Sequence, residues 1–378
     1  MTARAPTICI DCRYIGPRPS GIGSVVEALA DHLPALAPHW RFRFLRNPAL
    51  GRRLSNAPNV TEVDCAASPN GPASMWWLPR LVDLGGVDLF HAPSNTLPRG
   101  LPFPAVTTIH DVMWLTRPDL CNASFWGQIE RQFYRHGIRR ALRRSDAVLT
   151  VSHATARDIA DLPGPPAPPV HVVHPGIDRR FRRRAVAPAD RARLGMPERR
   201  FVLTVGQLAP YKNHEGALRG FAAAFADRPD IDFVLVQRRG PDARHLLELA
   251  TALGMAGRLH FVRPESVDEM ASWYSAADAL LHPSLCEGFG MPLAEAMACG
   301  CPIVTSNRSA MPEVVGEAGL LADPSDPASL AAALLRILDD PQCGRGLSQA
   351  GQRRAQAFDR RAFAAGNLAI YREVLGCD

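Results

Sequence analysis

Two glutamates eight residues apart, Glu287 and Glu295, form the clearest chemical pattern in the sequence. An apolar run ending at Ser284 predicts a β-strand, after which the chain passes through a Gly-Phe-Gly turn into a predicted helix. Glu287 is therefore expected on a loop at the carboxyl end of a strand, and Glu295 about one turn inside the following helix. Ligands bind at that edge of open parallel sheets, so the two carboxylates can reach one ligand at two separate points.

The chemistry of this pair favours a hydroxyl-bearing ligand. Carboxylates accept paired hydrogen bonds from sugar hydroxyls or from the diol of a ribose. Exposed N–H groups at Gly290, Met291 and the helix start suit an anionic or hydroxyl-rich group. The structural alternative is that both acids only complement the helix dipole. That alternative explains Glu295 but neither Glu287 nor the two glycines around an aromatic residue, so the pattern favours ligand binding.

A second pattern surrounds Lys212, the only lysine in the sequence against 42 arginines. In VGQLAPYKN, Gly206 ends a predicted strand, and Lys212 follows on a turn before a predicted helix. A compact ammonium can lie between the oxygens of a diphosphate as a point charge. The alternative is a surface lysine that caps the turn. A composition that uses arginine everywhere else favours a specific role.

A glycine-rich turn, GPRPSGIG, follows the first predicted strand and ends at Gly23 before a helix. The backbone N–H groups of Gly21, Ile22 and Gly23 can approach a phosphate there. The motif is weak by itself because it is neither a dinucleotide fingerprint nor a P-loop.

Histidines at strand ends give a third set of candidates. His110 and Asp111 follow the run TTI, and His91 and Asn95 lie in LFHAPSNTLP. A single histidine in such a position is as often structural as functional, so residue type alone leaves both readings open.

The elements that position these residues alternate short β-rich runs with longer helical stretches, the pattern of parallel α/β sheets. The strands predicted in the first half are Ile8–Asp11, Arg41–Leu45, Asp88–His91, Ala105–Ile109, Ala147–Val151 and Val170–His174. The helices predicted there are Gly23–Leu36 and Phe125–Arg143. The strands predicted in the second half are 201–205, 232–237, 258–262, 279–282 and 302–306, and the helices are 213–226, 242–252, 267–276 and 292–299.

We therefore predict two Rossmann-like α/β domains. The first covers residues 1–180, a linker covers 181–200, and the second domain covers 201–360. The amphipathic pattern of residues 361–378 predicts a helix that crosses back to the first domain.

The segment LHPSLCEGFGMPLAEAMACG resembles the E-x7-E motif of the retaining family 4 glycosyltransferases. GIDRRF, VGQLAPYKN and ASWYSAADALLHPSLCEGFG occur in the order typical of that family. IDCRYIGPRPSGIG, LFHAPSNTLP and TTIHDVMWL resemble its branch of bacterial O-antigen mannosyltransferase-like enzymes. The resemblance implies the GT-B fold, in which two Rossmann-like domains face each other across a cleft.

The resemblance also implies roles for individual residues. It assigns Glu295 to the donor ribose, Glu287 to the hydroxyls of the transferred sugar, and Lys212 to the donor diphosphate. The implied donor-binding set is Gly21, Ile22, Gly23, Gly206, Gln207, Lys212, Glu287, Gly288, Phe289, Gly290, Met291 and Glu295. The implied catalytic set is His110, Glu287 and Lys212, with His110 beside the anomeric carbon, and the acceptor side comprises His91, Asn95 and Asp111.

The chain departs from the family pattern at the phosphate. Relatives often carry arginine directly after the glycine or before the lysine, whereas Gln207 and Tyr211 occupy those positions here. One positive charge is therefore missing or is supplied elsewhere, for which Arg238 and Arg239 are candidates.

The function implied by the resemblance is retaining, metal-independent transfer of a hexose to a saccharide or lipid-linked acceptor in surface polysaccharide synthesis. Mannose from GDP-mannose is the expected donor sugar, and no cofactor is expected. A GT-B-like sugar-nucleotide epimerase and a non-catalytic nucleotide-sugar-binding protein are the alternatives.

Charge and hydropathy bear on location and partners. The net charge is +6, and residues 1–184 carry 23 arginines against 14 acidic residues. The densest basic stretch is the helical face from Arg131 to Arg144, which suits a solvated surface, an anionic membrane or, least well, nucleic acid. No apolar stretch approaches the roughly 20 residues of a membrane span, so we expect a cytoplasmic protein, peripheral on the inner membrane face if that basic surface binds lipid.

Overall fold

The structure is a computed structural model that describes residues 4–17, 20–121, 125–164, 167–237 and 243–377. The chain divides into two compact units. Unit 1 consists of three segments of the chain: one that ends at Pro118, one that ends at Gly176, and one that begins at Phe358. Unit 2 contains Ile177–Ala357 together with a short piece of chain that begins at Asp119.

Unit 1 is built on a parallel sheet of seven strands in the order β3-β2-β1-β4-β5-β6-β7. Their bounds are β1 Thr7–Asp11, β2 Arg41–Arg46, β3 Val60–Asp64, β4 Leu89–Ala92, β5 Ala105–Ile109, β6 Ala147–Thr150 and β7 Val170–Val172. The central strands β1, β4, β5 and β6 are buried throughout, as expected for parallel strands covered on both faces.

Unit 2 is built on a parallel sheet of six strands in the order β10-β9-β8-β11-β12-β13. Their bounds are β8 Arg200–Val205, β9 Ile231–Val236, β10 Leu259–Val262, β11 Ala279–His282, β12 Ile303–Ser306 and β13 Leu320–Ala322. In each sheet the strand order reverses beside the first strand, which is the Rossmann arrangement. The prediction of two parallel-sheet, Rossmann-like domains is confirmed.

Helices surround both sheets. In chain order they are α1 Gly21–Leu36, α2 Pro72–Leu81, α3 Met113–Thr116, α4 Phe125–Arg144, α5 His153–Ala160, α6 Pro188–Arg193, α7 His214–Phe225, α8 Ala243–Ala252, α9 Val267–Ala276, α10 Met291–Ala298, α11 Met311–Val315, α12 Pro327–Asp339, α13 Pro341–Ala355 and α14 Arg360–Leu375. Across the described residues, no helix combines the length and the apolar character that crossing a membrane requires.

The last helix, α14, belongs to unit 1 and packs there against α1. Phe363, Leu368 and Tyr371 are buried in the same apolar cluster as Leu29 and Leu33 of α1. The Tyr371 hydroxyl also lies 2.6 Å from Nδ1 of the fully buried His91 on β4. Helix α14 is therefore part of the core of unit 1.

The predicted domain boundaries need correction. Residues 181–200, expected as a linker, belong to unit 2, because Arg184 bonds to Asp268 and α6 forms within this segment. Unit 2 also ends at Ala357, slightly before the predicted boundary at 360.

Candidate functional site

The candidate site of unit 2 lies at the carboxyl ends of β8 and β11, the neighbouring strands at which the strand order of the sheet reverses. The loop after β8 carries Lys212, and the loop after β11 carries Glu287. Open α/β sheets bind ligands at this position because two loops diverge there. The strand order therefore brings together two residues that are 75 positions apart in the chain.

Lys212 and Glu287 form a shielded ion pair. The Lys212 Nζ atom lies 2.7 Å from Oε1 of Glu287, and the two side chains are only 11% and 10% exposed. The His282 Nε2 atom lies 3.1 Å from the same oxygen, and the Ser284 hydroxyl donates to it at 2.8 Å. Every bond to the Glu287 carboxylate given by the described residues goes to Oε1, so Oε2 is the oxygen that can accept from a ligand hydroxyl.

The electrostatics keep this pair ionised. Burial by itself would raise the pKa of Glu287, but the charge of Lys212 and the bond from His282 outweigh it and hold that pKa well below its ordinary value. Burial opposes the charge of Lys212 as well, yet Glu287 raises the Lys212 pKa above its usual value. Burial lowers the pKa of His282, so this imidazole is neutral at pH 7, and its bond to Glu287 assigns the proton to Nε2.

Local geometry explains why Lys212 reaches this position. A Cβ atom at Gly206 would lie 3.0 Å from Cδ of Lys212, so glycine lets the lysine side chain lie across the strand end. Asn213 adopts the left-handed conformation at φ 54° and caps α7 by accepting from the Gly216 N–H. The Leu285 N–H donates to the Tyr211 carbonyl at 2.7 Å and joins the two site loops.

Ser309 holds the backbone of Glu287 from a third loop. Its hydroxyl donates to the Glu287 carbonyl at 2.7 Å and accepts from the Glu287 N–H at 3.2 Å. Ser309 itself has a positive φ of 54°, which is uncommon for a non-glycine residue. His282, Ser284 and Ser309 were not among the predicted site residues. The sequence signal for the first two was their position at the end of β11, directly before Glu287.

The predicted loop at Gly288 leads into α10. Phe289 is buried, and Gly290 has a φ of 97°, a conformation that favours glycine. Helix α10 begins at Met291 without a side-chain cap. The Leu293 N–H donates to the Gly290 carbonyl at 2.9 Å, whereas no capping side chain takes the N–H groups that precede it in the chain. The loop therefore offers N–H groups at the start of a helix, as the sequence predicted.

Glu295 lies on α10, where Oε2 accepts a hydrogen bond of 2.9 Å from the Tyr274 hydroxyl. Tyr274 is fully buried on α9, so its hydroxyl is a fixed anchor for the carboxylate. Tyr274 was not predicted as a site residue because its partner lies 21 positions away on another helix.

The two residues that stand where relatives often carry arginine, Gln207 and Tyr211, bond to each other beside Lys212. Gln207 donates from Nε2 to the Tyr211 hydroxyl at 2.9 Å, and the Lys212 ammonium lies 5.2 Å from the centre of the Tyr211 ring. Neither residue supplies a second positive charge. Arg238 and Arg239, the candidates for that charge, lie outside the described residues.

An Asp-x-Asp sequence, a pattern of carboxylates that can hold a metal ion, occurs at Asp230 and Asp232. It lies at the amino end of β9, at the opposite edge of the sheet from Lys212 and Glu287. Asp232 is buried and faces Arg199 and His260.

In unit 1, the structure changes the interpretation of the glycine-rich turn. Gly21, Ile22 and Gly23 form the first turn of α1, and the Gly23 N–H donates to the capping hydroxyl of Ser20 at 3.0 Å. The prediction that Gly23 offers its N–H to a phosphate is corrected, because the Ser20 cap already uses that group. A Cβ atom at Gly23 would also lie 2.8 Å from the Tyr14 carbonyl oxygen, so close packing accounts for this glycine.

His110 follows β5 and is held by its neighbours. Its backbone N–H donates to Oδ1 of Asn95 at 2.7 Å, and its Nε2 atom lies 2.9 Å from the Pro93 carbonyl. Burial lowers the pKa of His110, so the ring is neutral with its proton on Nε2. The other ring nitrogen, Nδ1, can therefore only accept a hydrogen bond, which rules out a role as proton donor at that atom.

All three residues predicted on the acceptor side bond to neighbouring residues of unit 1. His91 is fully buried, its Nε2 lies 2.8 Å from the Thr108 hydroxyl, and burial lowers its pKa to about 3. With Tyr371 on Nδ1, both ring nitrogens are occupied, so the prediction of an acceptor contact at His91 is wrong.

Asn95 uses its side-chain carbonyl oxygen to position His110. Asp111 accepts from the Met113 N–H at 3.0 Å and is only partly buried.

Comparison with protein families gives two consecutive matches. Residues 187–354 match the family described as Glycosyl transferases group 1, and residues 19–181 match Glycosyltransferase Family 4. The two matches together span most of both units.

Similar proteins include the D-inositol 3-phosphate glycosyltransferase of Thermobispora bispora, 34% identical over 61% of this chain and 56% of that protein. The MMP alpha-(1->4)-mannosyltransferase of Mycolicibacterium hassiacum is 32% identical over 72% of this chain and 66% of that protein. The matched chain thus spans less than two thirds of the length of these two relatives. Among solved structures, sucrose-phosphate synthase from Thermosynechococcus elongatus superposes with a TM-score of 0.75 at 23% identity and covers 99% of this chain and 100% of that one.

Proposed function

Because the chain belongs to the family 4 glycosyltransferases, which have the GT-B fold, we propose that it transfers a hexose from a nucleoside-diphosphate sugar to a saccharide or lipid-linked acceptor. The observation that carries this proposal is the pair of Lys212 and Glu287 at the reversal point of the unit 2 sheet. Phosphate and sugar hydroxyls, the two polar groups of such a donor, call for a cation and a carboxylate side by side. A nucleoside-diphosphate sugar supplies both groups within a few bonds of each other.

The donor then lies along the loop and helix that follow β11. The Lys212 ammonium takes the diphosphate, together with the N–H groups of Gly290 and Met291 at the start of α10. Oε2 of Glu287 accepts from a hydroxyl of the transferred sugar, because Oε1 is engaged by Lys212, His282 and Ser284. Glu295, anchored by Tyr274, accepts from the ribose diol.

In this mechanism the leaving nucleoside diphosphate gains negative charge as the glycosidic bond breaks. Lys212 and the α10 amides stabilise that charge, so this scheme requires no metal ion. The acceptor hydroxyl attacks the face from which the leaving group departs, and a phosphate oxygen of the leaving group takes its proton. The anomeric configuration is then retained without a nucleophile from the enzyme.

Mannose from GDP-mannose is the donor we propose, in the synthesis of surface polysaccharides or glycoconjugates. The mannosyltransferase among the similar proteins supports the sugar. The guanine base is a proposal from the resemblance of the sequence to O-antigen mannosyltransferase-like enzymes.

The test begins with thermal unfolding of the full chain in the presence of GDP-, UDP- and TDP-sugars. We expect GDP-mannose to give the largest increase in melting temperature. The second step is transfer from that donor to a saccharide acceptor, and NMR of the product should show that the α-configuration of the donor is preserved. Treatment with EDTA should leave the rate unchanged. A donor isomer formed without acceptor would instead indicate an epimerase, and binding without turnover would indicate a binding protein.

A separate prediction concerns the ribose. Glu295→Gln should weaken the affinity for the nucleoside diphosphate roughly 10- to 100-fold, because hydrogen bonds to a charged acceptor are worth about 1.5–3 kcal/mol. Calorimetry with the ribo- and 2′-deoxy forms of the nucleotide measures this, since the wild type should discriminate between them and the variant should not.

Two controls accompany that measurement. Tyr274→Phe removes only the 2.9 Å anchor of Glu295 and should give a smaller loss, whereas Glu317→Gln changes an exposed glutamate of the same unit and should give none. Equal discrimination by wild type and Glu295→Gln would remove Glu295 from the ribose.

A further inference from the structure

One surface of unit 1 combines arginines on α4 with exposed aromatic residues on α2. Helix α4 contains six arginines and a single acidic residue, Glu130. Its solvent side lines a surface cavity of about 450 Å³ whose walls include Arg139, Arg143 and Arg144. These three arginines are exposed, and no acidic side chain lies within ion-pair distance of them in the described part of the chain.

The positive charges on this surface lie close enough to affect one another, as the pKa of Arg140 shows. Burial lowers the pKa of Arg140, and the neighbouring charges of Arg144 and Arg99 lower it further. Arg140 is fixed in place by donating to the Leu97 and Pro98 carbonyl oxygens. Like charges that have no acidic partner among the described residues produce a positive potential that attracts an anionic surface.

Apolar side chains adjoin this positive cluster. Of five large apolar side chains that are exposed among the described residues, four lie on α2 and α4, namely Trp76, Trp77, Leu81 and Ile129. The Trp76 ring lies 6.0 Å from the Phe133 ring and 6.1 Å from the His136 ring of α4. Trp76 also lines a second cavity of about 630 Å³ together with Arg99, Arg140 and Arg144. The aromatic and basic groups therefore share one surface.

We propose that this basic-aromatic surface, formed by Trp76, Trp77, Leu81 and Ile129 with Arg139, Arg143 and Arg144, docks on an anionic lipid bilayer. Arginines near such a bilayer are attracted by its negative surface potential, and tryptophans partition to the level of the headgroups. Leu81 and Ile129 are half-exposed, and they would lose unfavourable contact with water by entering the acyl boundary of a bilayer. A phosphodiester backbone offers no apolar contact to these two side chains. The combination therefore favours a membrane over nucleic acid, and it is independent of the proposed reaction.

The test uses the full chain with vesicles of phosphatidylcholine alone or with one quarter phosphatidylglycerol. We expect sedimentation with the anionic vesicles only, and weaker binding as salt is raised. The triple variant Arg139→Ala, Arg143→Ala, Arg144→Ala should lower the partition coefficient on the order of 100-fold, from about fivefold for each arginine near the surface. The matched triple variant Arg336→Ala, Arg345→Ala, Arg353→Ala removes the same charge from exposed positions of unit 2 and should bind like the wild type.

A second measurement reads the apolar contact. Brominated lipids should quench the fluorescence of the wild type, and Trp77→Phe should lose part of that quenching while its melting temperature stays unchanged. Equal loss of binding in both triple variants, equal binding to neutral vesicles, or binding of a single-stranded oligonucleotide in place of vesicles would each overturn the proposal.

Discussion

Replacing Lys212 by methionine should lower the turnover rate of sugar transfer by about 10²-fold or more, the usual scale for losing one group that stabilises transition-state charge. Methionine has nearly the length of lysine and keeps the contact with Gly206, so the main change is the loss of the ammonium. Steady-state kinetics at saturating donor measure the effect, and calorimetry should show weaker binding of the nucleoside diphosphate. A rate near that of the wild type would exclude Lys212 from the phosphate.

The same substitution leaves the Glu287 carboxylate shielded without its cation, and breaking such a pair costs about 3–5 kcal/mol of stability. The double variant Lys212→Met, Glu287→Gln removes both charges and should recover most of the lost melting temperature. It should not recover activity. If the rate did return, the defect of the single variant would come from the unpaired carboxylate and not from the phosphate.

Replacing Lys212 by arginine is a sharper comparison because the charge is kept. The side chain of Lys212 is only 11% exposed and lies against Gly206, so a planar guanidinium has little room. We expect Lys212→Arg to remain far below the wild-type rate.

The second large effect should follow from Glu287→Gln. The amide can direct its oxygen towards Lys212, His282 and Ser284, which places its NH₂ group where Oε2 accepts from the sugar. The acceptor of a hydrogen bond is thereby exchanged for a donor, and we expect the rate of transfer to fall by at least about 10²-fold. Lys212 simultaneously loses a competing anion, so the affinity for the nucleoside diphosphate should be unchanged or higher.

These opposite signs make the Glu287 prediction specific. A parallel fall of nucleotide affinity and transfer rate would indicate a general distortion of the loop, and an unchanged rate would remove Glu287 from the sugar. Glu317→Gln, which makes the same chemical change at an exposed position of unit 2, should alter neither quantity.

The sequence predicted local features of this fold well where periodicity and turn residues agreed. The bounds of β5, α9 and β11 match the predicted ones. The edge strand β3 was missed because four of its five residues are half-exposed or exposed and because it lacks a continuous apolar run. Helix α2 was missed because prolines at positions 72 and 79 interrupt the expected pattern.

The candidate site shows the same division. Residue type and local position singled out Lys212 and Glu287, but their bond depends on β8 lying beside β11, which no local pattern encodes. His91 was misinterpreted because its partner Tyr371 is 280 residues away. The Ser20 cap was readable in advance, since serine directly before a helix commonly binds a first-turn N–H.

The membership of α14 in unit 1 also sets an order of events during synthesis. Tyr371 reaches the ribosome exit on the order of tens of seconds after His91, at the usual rates of translation. Unit 2 has emerged by then, whereas α1 still lacks the helix that covers its apolar side. We therefore expect the unit encoded second to mature first, and nascent chains that stop before α14 to be the species that chaperones retain.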